Sequence, residues 1–172
     1  DRILEAMNRK HTRDEYFKIM RKMREQRADI ALASDFIVGF PGEREKDFQD
    51  TMDLVDTVKY AIAYSFKYST RPGTPAADMF GHVEEDVKHD RLMRLQALLR
   101  DQQIAFNESQ IGRTLPILIT GKGRMPGQLH GRSPYLQAVH FQGPDYLIGQ
   151  IVDVEITGAS LNSLMGELIR AE

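Results

Sequence analysis

The sequence predicts an α/β protein in which part of a parallel α/β barrel is followed by a small antiparallel β-barrel. Helical and strand patterns alternate along the first half, and two strand patterns there run directly into Gly/Pro-rich loops, SDFIVGFPGE and YSTRPGTPAAD. Parallel α/β barrels present backbone to ligands at the C-terminal ends of their strands in this way. From Arg113 onward the pattern changes to period two. We therefore expect two domains, residues 1–110 and residues 111–172.

The first helices and the first strand have clear local signals. Residues Asp1 to Met7 have the composition of a helix end, and Thr12 with Glu15 forms a capping box that opens the next helix. The run Ile30 to Val38 is almost continuously apolar, as expected of a parallel strand covered on both sides.

A strand–helix–strand unit follows from this first strand. A second amphipathic helix is predicted from Glu43 to about Lys59, and a second strand from Ala61 to Tyr68. Short links between them indicate a right-handed parallel unit. Two strands cannot fill a barrel by themselves, so we expect this region to belong to a larger domain that is cut near Asp1.

A long charged segment, Glu84 to about Gln110, carries leucines at helical spacing. It is interpreted either as an amphipathic helix that binds a partner or as a closing helix that packs on the barrel. The end of this segment at Ile111 and Gly112 is the predicted domain boundary.

Five short strands are predicted in the last sixty or so residues, in the runs TLPILIT, QLHGR, AVHF, QIVDVEIT and SLMGELI. Gly/Pro turns separate them, which is typical of a small closed β-barrel of OB-like size.

Composition limits the classes of function. The chain has 172 residues and a formal net charge of -2, so attraction to nucleic acid must be local rather than global. No apolar run approaches the roughly 20 residues that cross a bilayer. The chain has no cysteine, which fits the cytoplasm and leaves it without thiolate metal ligands, and its 5 histidines show no ligand spacing. We therefore predict no metal site within the chain.

The first strand carries the strongest site signal. Alternation places Asp35 on one face with Ile37, Gly39 and small residues, which would leave room for a ligand inside a barrel. In the second strand, the alternating set from Ala61 to Lys67 is similarly small and polar. A buried carboxylate needs a hydrogen-bonding partner. Asp35 is expected either to accept from a cofactor or from Arg71, or to cap a neighbouring loop.

The loop after the first strand has two interpretations. Gly39, Pro41 and Gly42 could form only a tight turn before the helix at Glu43. A helix N-terminus behind such a turn also offers N–H groups to an anionic ligand.

The charge of the predicted β-barrel is asymmetric. Residues 111–144 contain no acid, whereas acids predominate from residue 145 onward. We interpret the first part as one basic end of the barrel that binds nucleic acid, or as an ordinary solvated face. Its cations are Arg113, Lys122, Arg124 and Arg132.

These residues also carry a family resemblance. The segments MNRKHTRDEY, SDFIVGFPGE, FKYSTRPGTPAAD and IGQIVDVEITGASLNSLMGEL resemble the radical-SAM methylthiotransferases, in order and over essentially the whole chain. The predicted β-barrel is similar to their TRAM domain. The RPGTPAA segment is similar to the branch of the family that modifies tRNA, whereas the branch acting on a ribosomal protein has an acidic pair where Arg71 and Pro72 stand.

The resemblance implies an enzyme that methylthiolates an isopentenylated adenosine beside the tRNA anticodon. S-adenosyl-L-methionine (SAM) and two 4Fe-4S clusters would be its cofactors. The family's cluster cysteines are absent from this chain, so we expect them in N-terminal domains outside it and expect the chain alone to be inactive.

The candidate site residues follow from the strand pattern and the resemblance together. SAM is predicted to contact Asp35, Ile37, Gly39, Pro41 and Gly42, and Arg71 is predicted to be catalytic. The four barrel cations are predicted to contact tRNA phosphates. The alternatives are a non-catalytic RNA-binding module with a scaffold half-barrel, or a methylthiotransferase for another tRNA or for a ribosomal protein. A metal-dependent hydrolase that uses Asp35 lacks a second carboxylate or a His pair at a strand end.

Overall fold

The computed structural model describes residues 1–169, which form two compact units. The first unit is Asp1–Gln102, and the second begins at Gln103. The division falls inside a single long helix, Glu85–Glu108. None of the helices in residues 1–169 is long and apolar enough to span a membrane.

The first unit contains four helices and a two-stranded parallel sheet. In chain order these are α1 (Arg2–Ala6), α2 (Arg13–Gln26), β1 (Ala33–Val38), α3 (Glu45–Val58), β2 (Ile62–Lys67) and the first part of α4 (Glu85–Glu108). A one-turn 3-10 helix, Pro75–Asp78, lies in the loop after β2. The elements predicted from the sequence are therefore present, with ends that differ by a few residues.

The local signals act as predicted. The backbone N–H of Glu15 donates to the Thr12 hydroxyl, and the Thr12 N–H donates to the Glu15 carboxylate, which completes the capping box. Strands β1 and β2 pair in parallel, with Asp35 opposite Tyr64 and Ile37 opposite Phe66.

One face of this sheet packs against helices. Leu32 and Val38 of the β1 segment are buried with Phe48 and Val55 of α3 and Leu95 of α4. Helix α4 is thus part of the core of the first unit, which favours the packing interpretation of its sequence pattern over the partner-binding one.

The second unit is a closed barrel with strand order β3-β4-β5-β7-β6. Its strands are β3 (Thr114–Lys122), β4 (Gln128–Arg132), β5 (Ala138–Gln142), β6 (Ile151–Ala159) and β7 (Ser163–Leu168). All pairs are antiparallel except β5 with β7. The predicted five-stranded barrel is therefore confirmed.

Alternation along each strand fills this barrel. Inward residues are buried and outward residues are exposed, as in the β3 pattern of alternating exposed and buried positions. The core consists of Leu115, Ile117, Ile119, Leu129, Val139, Phe141, Leu147, Val154, Ile156 and Leu164. The closing turns of α4 are tied to the barrel by Asn107, whose amide donates to the carbonyls of Ser160 and Leu161 at 2.8 and 2.9 Å.

Candidate functional site

A cavity of about 480 Å³ lies in the first unit beside β1. Its lining includes Asp35 and Ile37 of β1, Tyr16 of α2, and Glu43 and Asp47 at the start of α3. Two predicted cofactor contacts, Asp35 and Ile37, are therefore brought to one cavity. The lining also carries Arg9 and Arg13, and three of its acids, Glu43, Asp47 and Asp50, are ion-paired with arginines.

Asp35 is the one β1 carboxylate in this cavity. It is exposed, and its side chain has no hydrogen bond or ion pair with residues 1–169. The expectation that it is buried and caps a neighbouring loop is wrong, because the β1 face that carries it is open. An unpaired carboxylate facing a cavity is free to accept from a ligand.

The face of the sheet that carries Asp35 continues on β2 with large residues. Because partners in a parallel pair share a face, Tyr64 and Phe66 lie on the Asp35 side, and they are 60% and 54% exposed. The small and polar set of β2 instead faces the helices, where Ala63 packs against the core. The small and polar set of β2 from Ala61 to Lys67 therefore does not share a face with Asp35.

The loop after β1 is fixed by its own chain. The Gly39 N–H donates to the Glu43 carboxylate at 2.9 Å, and Glu43 is buried in an ion pair with Arg91 of α4, also at 2.9 Å. Burial raises the pKa of the Glu43 carboxyl, while the Gly39 N–H and Arg91 act in the opposite direction. Sequence reasoning missed this buried pair, because nothing in a linear pattern matches Glu43 with Arg91.

The glycines of this loop have structural reasons to be glycine. Gly39 has φ +74, and a Cβ there would lie 2.2 Å from the Cγ of Lys88. Gly42 has φ +81, and its N–H donates to the Gly81 carbonyl at 2.7 Å. Pro41 between them is buried. A tight turn accounts for all three residues.

The N-terminus of α3 is occupied by carboxylates of the chain. The Arg44 N–H donates to the Asp47 carboxylate at 2.9 Å, and Arg2 forms an ion pair with the same carboxylate. Glu43 is paired with Arg91, and Asp47 with Arg2 and Arg44. The N–H groups of Gly39 and Arg44 are thus already bonded within the chain, and the anion site at this helix end stays a prediction.

Arg71 lies in the loop after β2 and is exposed. Its carbonyl accepts from the Thr74 N–H and hydroxyl, at 3.2 and 2.8 Å. Its guanidinium has no hydrogen bond or ion pair within residues 1–169, and Arg71 does not line the cavity beside β1. The structure therefore does not bring Arg71 and Asp35 together in one cavity.

The four barrel cations divide between two ends of the barrel. Arg113 donates to the Tyr135 hydroxyl and Arg132 to the Leu136 carbonyl, so both contact the loop after β4. Lys122 and Arg124 lie at the other end of β4, at the β3–β4 hairpin. The prediction of one basic end is wrong, because antiparallel strands send successive loops to opposite ends.

These cations also differ in their partners. Lys122 forms an ion pair with Asp145, and Arg113 donates to Gln110 as well as to Tyr135. The Arg124 guanidinium has no hydrogen bond or ion pair with the described residues, which leaves it available to a ligand. No group of three or more potential metal-ligating side chains is found within residues 1–169.

Two family descriptions match the chain. The TRAM domain matches residues 108–169, and the radical SAM superfamily matches residues 1–55. The first range contains the whole five-stranded barrel, and the second contains β1 and its loop.

Curated relatives match almost the whole chain. The tRNA-2-methylthio-N(6)-dimethylallyladenosine synthase of Maricaulis maris is 61% identical over 98% of this chain and 37% of its own length. The protein of the same name from Agrobacterium fabrum is 58% identical over the same shares. Along almost its whole length the chain is therefore similar to these synthases, as the sequence motifs predicted. It spans between a third and two fifths of the length of these relatives.

The two matches follow the two units along the chain. The segment with the open β1 face lies in the radical SAM match, and the barrel with Arg124 lies in the TRAM match. The predicted recognition of the family is confirmed on both.

Proposed function

We propose that this chain is part of a longer radical-SAM tRNA methylthiotransferase of the cytoplasm that acts on isopentenylated adenosine next to the anticodon. One observation carries the proposal: a single alignment at 61% identity runs through both units, to a relative named for this modification. The residue Arg71, where the branch acting on a ribosomal protein has an acid, supports the tRNA branch.

The first unit would contribute part of a partial parallel barrel. Its two strands are parallel, and their open face exposes Ile37, Tyr64 and Phe66. A patch of large exposed apolar side chains is unusual on the surface of a complete soluble protein. Further strands of the same barrel would cover this face.

The residues of the first unit fit SAM in part. SAM carries an ammonium group and ribose hydroxyls, and the unpaired Asp35 carboxylate in the cavity wall can accept hydrogen bonds from such donors. Asp35 and Ile37 would hold SAM. Gly39, Pro41 and Gly42 would act indirectly, by fixing the loop that follows β1. When bound, SAM together with an iron–sulfur cluster supplies the radical chemistry of the family.

The chain does not fit an iron–sulfur cluster. Such clusters are held by cysteine thiolates, and the chain has none. The clusters expected of the family would be ligated by residues outside these 172.

Arg71 would contact the substrate or the cofactor. The hydrogen bonds of its loop use the Arg71 carbonyl rather than its side chain. Arg71→Ala therefore keeps the loop while it removes the guanidinium.

The test is mass spectrometry of digested tRNA from a bacterial strain that lacks its own synthase. We expect the whole protein to convert isopentenyladenosine to its 2-methylthio form, and Arg71→Ala to lower conversion at least tenfold with an unchanged melting temperature. Asp35→Asn should weaken SAM binding, measured by equilibrium dialysis, whereas the control Asp53→Asn on α3 should not.

Two results would contradict the proposal. Unmodified tRNA from a strain with soluble, cluster-loaded protein would exclude this activity, and tRNA binding without modification would favour the RNA-binding module. Normal SAM affinity in Asp35→Asn would remove Asp35 from the SAM site.

A further inference from the structure

An unusual row of side chains crosses the outside of the barrel. His130 of β4 lies directly opposite His140 of β5, and His140 is in turn paired with Met165 of β7. Their inward neighbours Leu129 and Val139 are in the core, so alternation points both histidine rings outward. The ring centroids are 6.4 Å apart.

A glycine flanks this row on each side. Gly121 of β3 is paired with His130, and Gly158 of β6 with Met165. A Cβ at Gly121 would lie 2.9 Å from the His130 ring, and one at Gly158 would lie 2.8 Å from the Met165 methyl group. The glycines therefore let the ring and the thioether lie against the barrel surface, which makes a shallow platform whose two histidine rings are tilted by 39° to each other.

The histidines have unused hydrogen-bonding capacity. The His130 Nδ1 donates to the Lys122 carbonyl at 2.9 Å, which leaves Nε2 of the neutral ring as an acceptor. The His140 Nδ1 is buried without a hydrogen-bond partner among the described residues. Because this atom is buried, a ligand on the outer face would contact the His140 ring rather than its Nδ1.

The charge around the platform favours an anion. Lys122 and Arg124 lie on the β3 side, and Lys122 is already paired with Asp145. On the β7 side Glu167 lies two residues beyond Met165, with Glu155 of β6 opposite it, so the positive charge lies on the β3 side of the row. Burial, with smaller contributions from His130 and Arg124, lowers the pKa of His140.

We infer that the row of His130, His140 and Met165, with Arg124 at its edge, is a nucleotide-binding platform of the TRAM barrel. One RNA base packs on the rings and the thioether, and its phosphate is held by the Arg124 guanidinium. Aromatic faces beside a free cation are the usual means of holding unpaired nucleotides without sequence preference. The inference deepens the proposed function, on which it rests, and assigns RNA contact to the strand face rather than to all four cations.

The first test is the affinity of the whole protein for a labelled tRNA transcript. His130→Ala with His140→Ala should weaken binding about tenfold, the size expected for the loss of one stacked base. Arg124→Ala should weaken binding and lower the slope of log affinity against log salt by about 0.7 to 0.9. The matched control Lys122→Ala, whose ammonium is already paired, should change either quantity much less.

The second test uses the titration of His140, followed by NMR with labelled histidine. The base covers the His140 ring while its phosphate lies at Arg124, so binding excludes more water from the ring and disfavours the charged imidazolium. Since burial is already the main cause of the lowered pKa of His140, tRNA should lower this pKa further, and affinity should fall as pH falls from 8 to 6. His140→Phe keeps a flat ring but cannot protonate, so it should flatten this pH dependence while it preserves most of the affinity at pH 8. Gly121→Ala should displace the His130 ring and weaken binding in a folded barrel.

The outcomes separate the two proposals. Failure of the unsubstituted protein to bind tRNA would overturn the proposed function together with the platform. Normal tRNA binding and modification with an unchanged affinity in the double histidine variant, or an unchanged pKa of His140 on binding, would overturn the platform alone.

Discussion

The two-stranded sheet of the first unit and the barrel of the second differ in how they bury their apolar side chains. The barrel pairs every strand on both sides and buries one side chain in two along each strand. The β1–β2 sheet buries one face under helices and leaves Tyr64 and Phe66 exposed on the other. A closed barrel has no unpaired strand edge, whereas a two-stranded sheet with a large exposed apolar face needs further strands or helices to be stable.

The largest difference in stability is expected between a buried phenylalanine of the barrel and an exposed one of the β1–β2 sheet. Phe141→Ala opens a cavity in the barrel core and should lower the free energy of unfolding of the barrel by about 4 kcal/mol. In the 172-residue chain, where this face is open, Phe66→Ala removes a ring that is 54% exposed and should cost about 1 kcal/mol or less. Hydrogen exchange read separately for each unit measures both. Equal losses would mean that the open face is not a surface of the first unit.

A smaller effect is expected from the buried ion pair that anchors the loop after β1. Arg91→Met leaves Glu43 buried without its partner and should destabilise the first unit by about 3 kcal/mol. The control Arg94→Ala removes a largely exposed ion pair and should cost under about 1 kcal/mol.

The pH dependence of Arg91→Met has a definite sign. Without Arg91, burial raises the pKa of Glu43 further above its unfolded value, so the folded state holds that proton more tightly. The variant should lose stability as pH rises from the unfolded value of about 4.3 through the raised folded value. A variant that gains stability over that range would contradict the assignment of Glu43 as a buried partner.

The smallest effects on stability are expected at two glycines, and they distinguish backbone strain from steric contact. Gly39 and Gly73 both have positive φ, but only Gly39 has a neighbour, Lys88, where its Cβ would stand. Gly73→Ala should cost about 1 kcal/mol from the left-handed backbone alone. Gly39→Ala should cost about 2 kcal/mol, and Lys88→Ala in the same chain should recover part of the difference. Equal costs at the two glycines, in chemical unfolding, would show that Lys88 simply moves aside. Because Gly39 has this structural role, its substitution is a poor probe of SAM contact.

The sequence by itself determined the elements and the family. Period-two patterns predicted all five barrel strands, the capping box at Thr12 began α2, and ordered motifs along the whole chain indicated the methylthiotransferases. These are local signals, in which the spacing of a few adjacent residues fixes a hydrogen bond or a face.

Only the tertiary structure decided which residues meet. It paired Glu43 with Arg91 across 48 positions, sent the four cations to two ends of the barrel, and placed His130 opposite His140. It also turned Tyr64 and Phe66, rather than the small residues of β2, to the face of Asp35. Strand register and helix docking set these contacts, and both depend on packing between segments far apart in the chain, which no local pattern encodes.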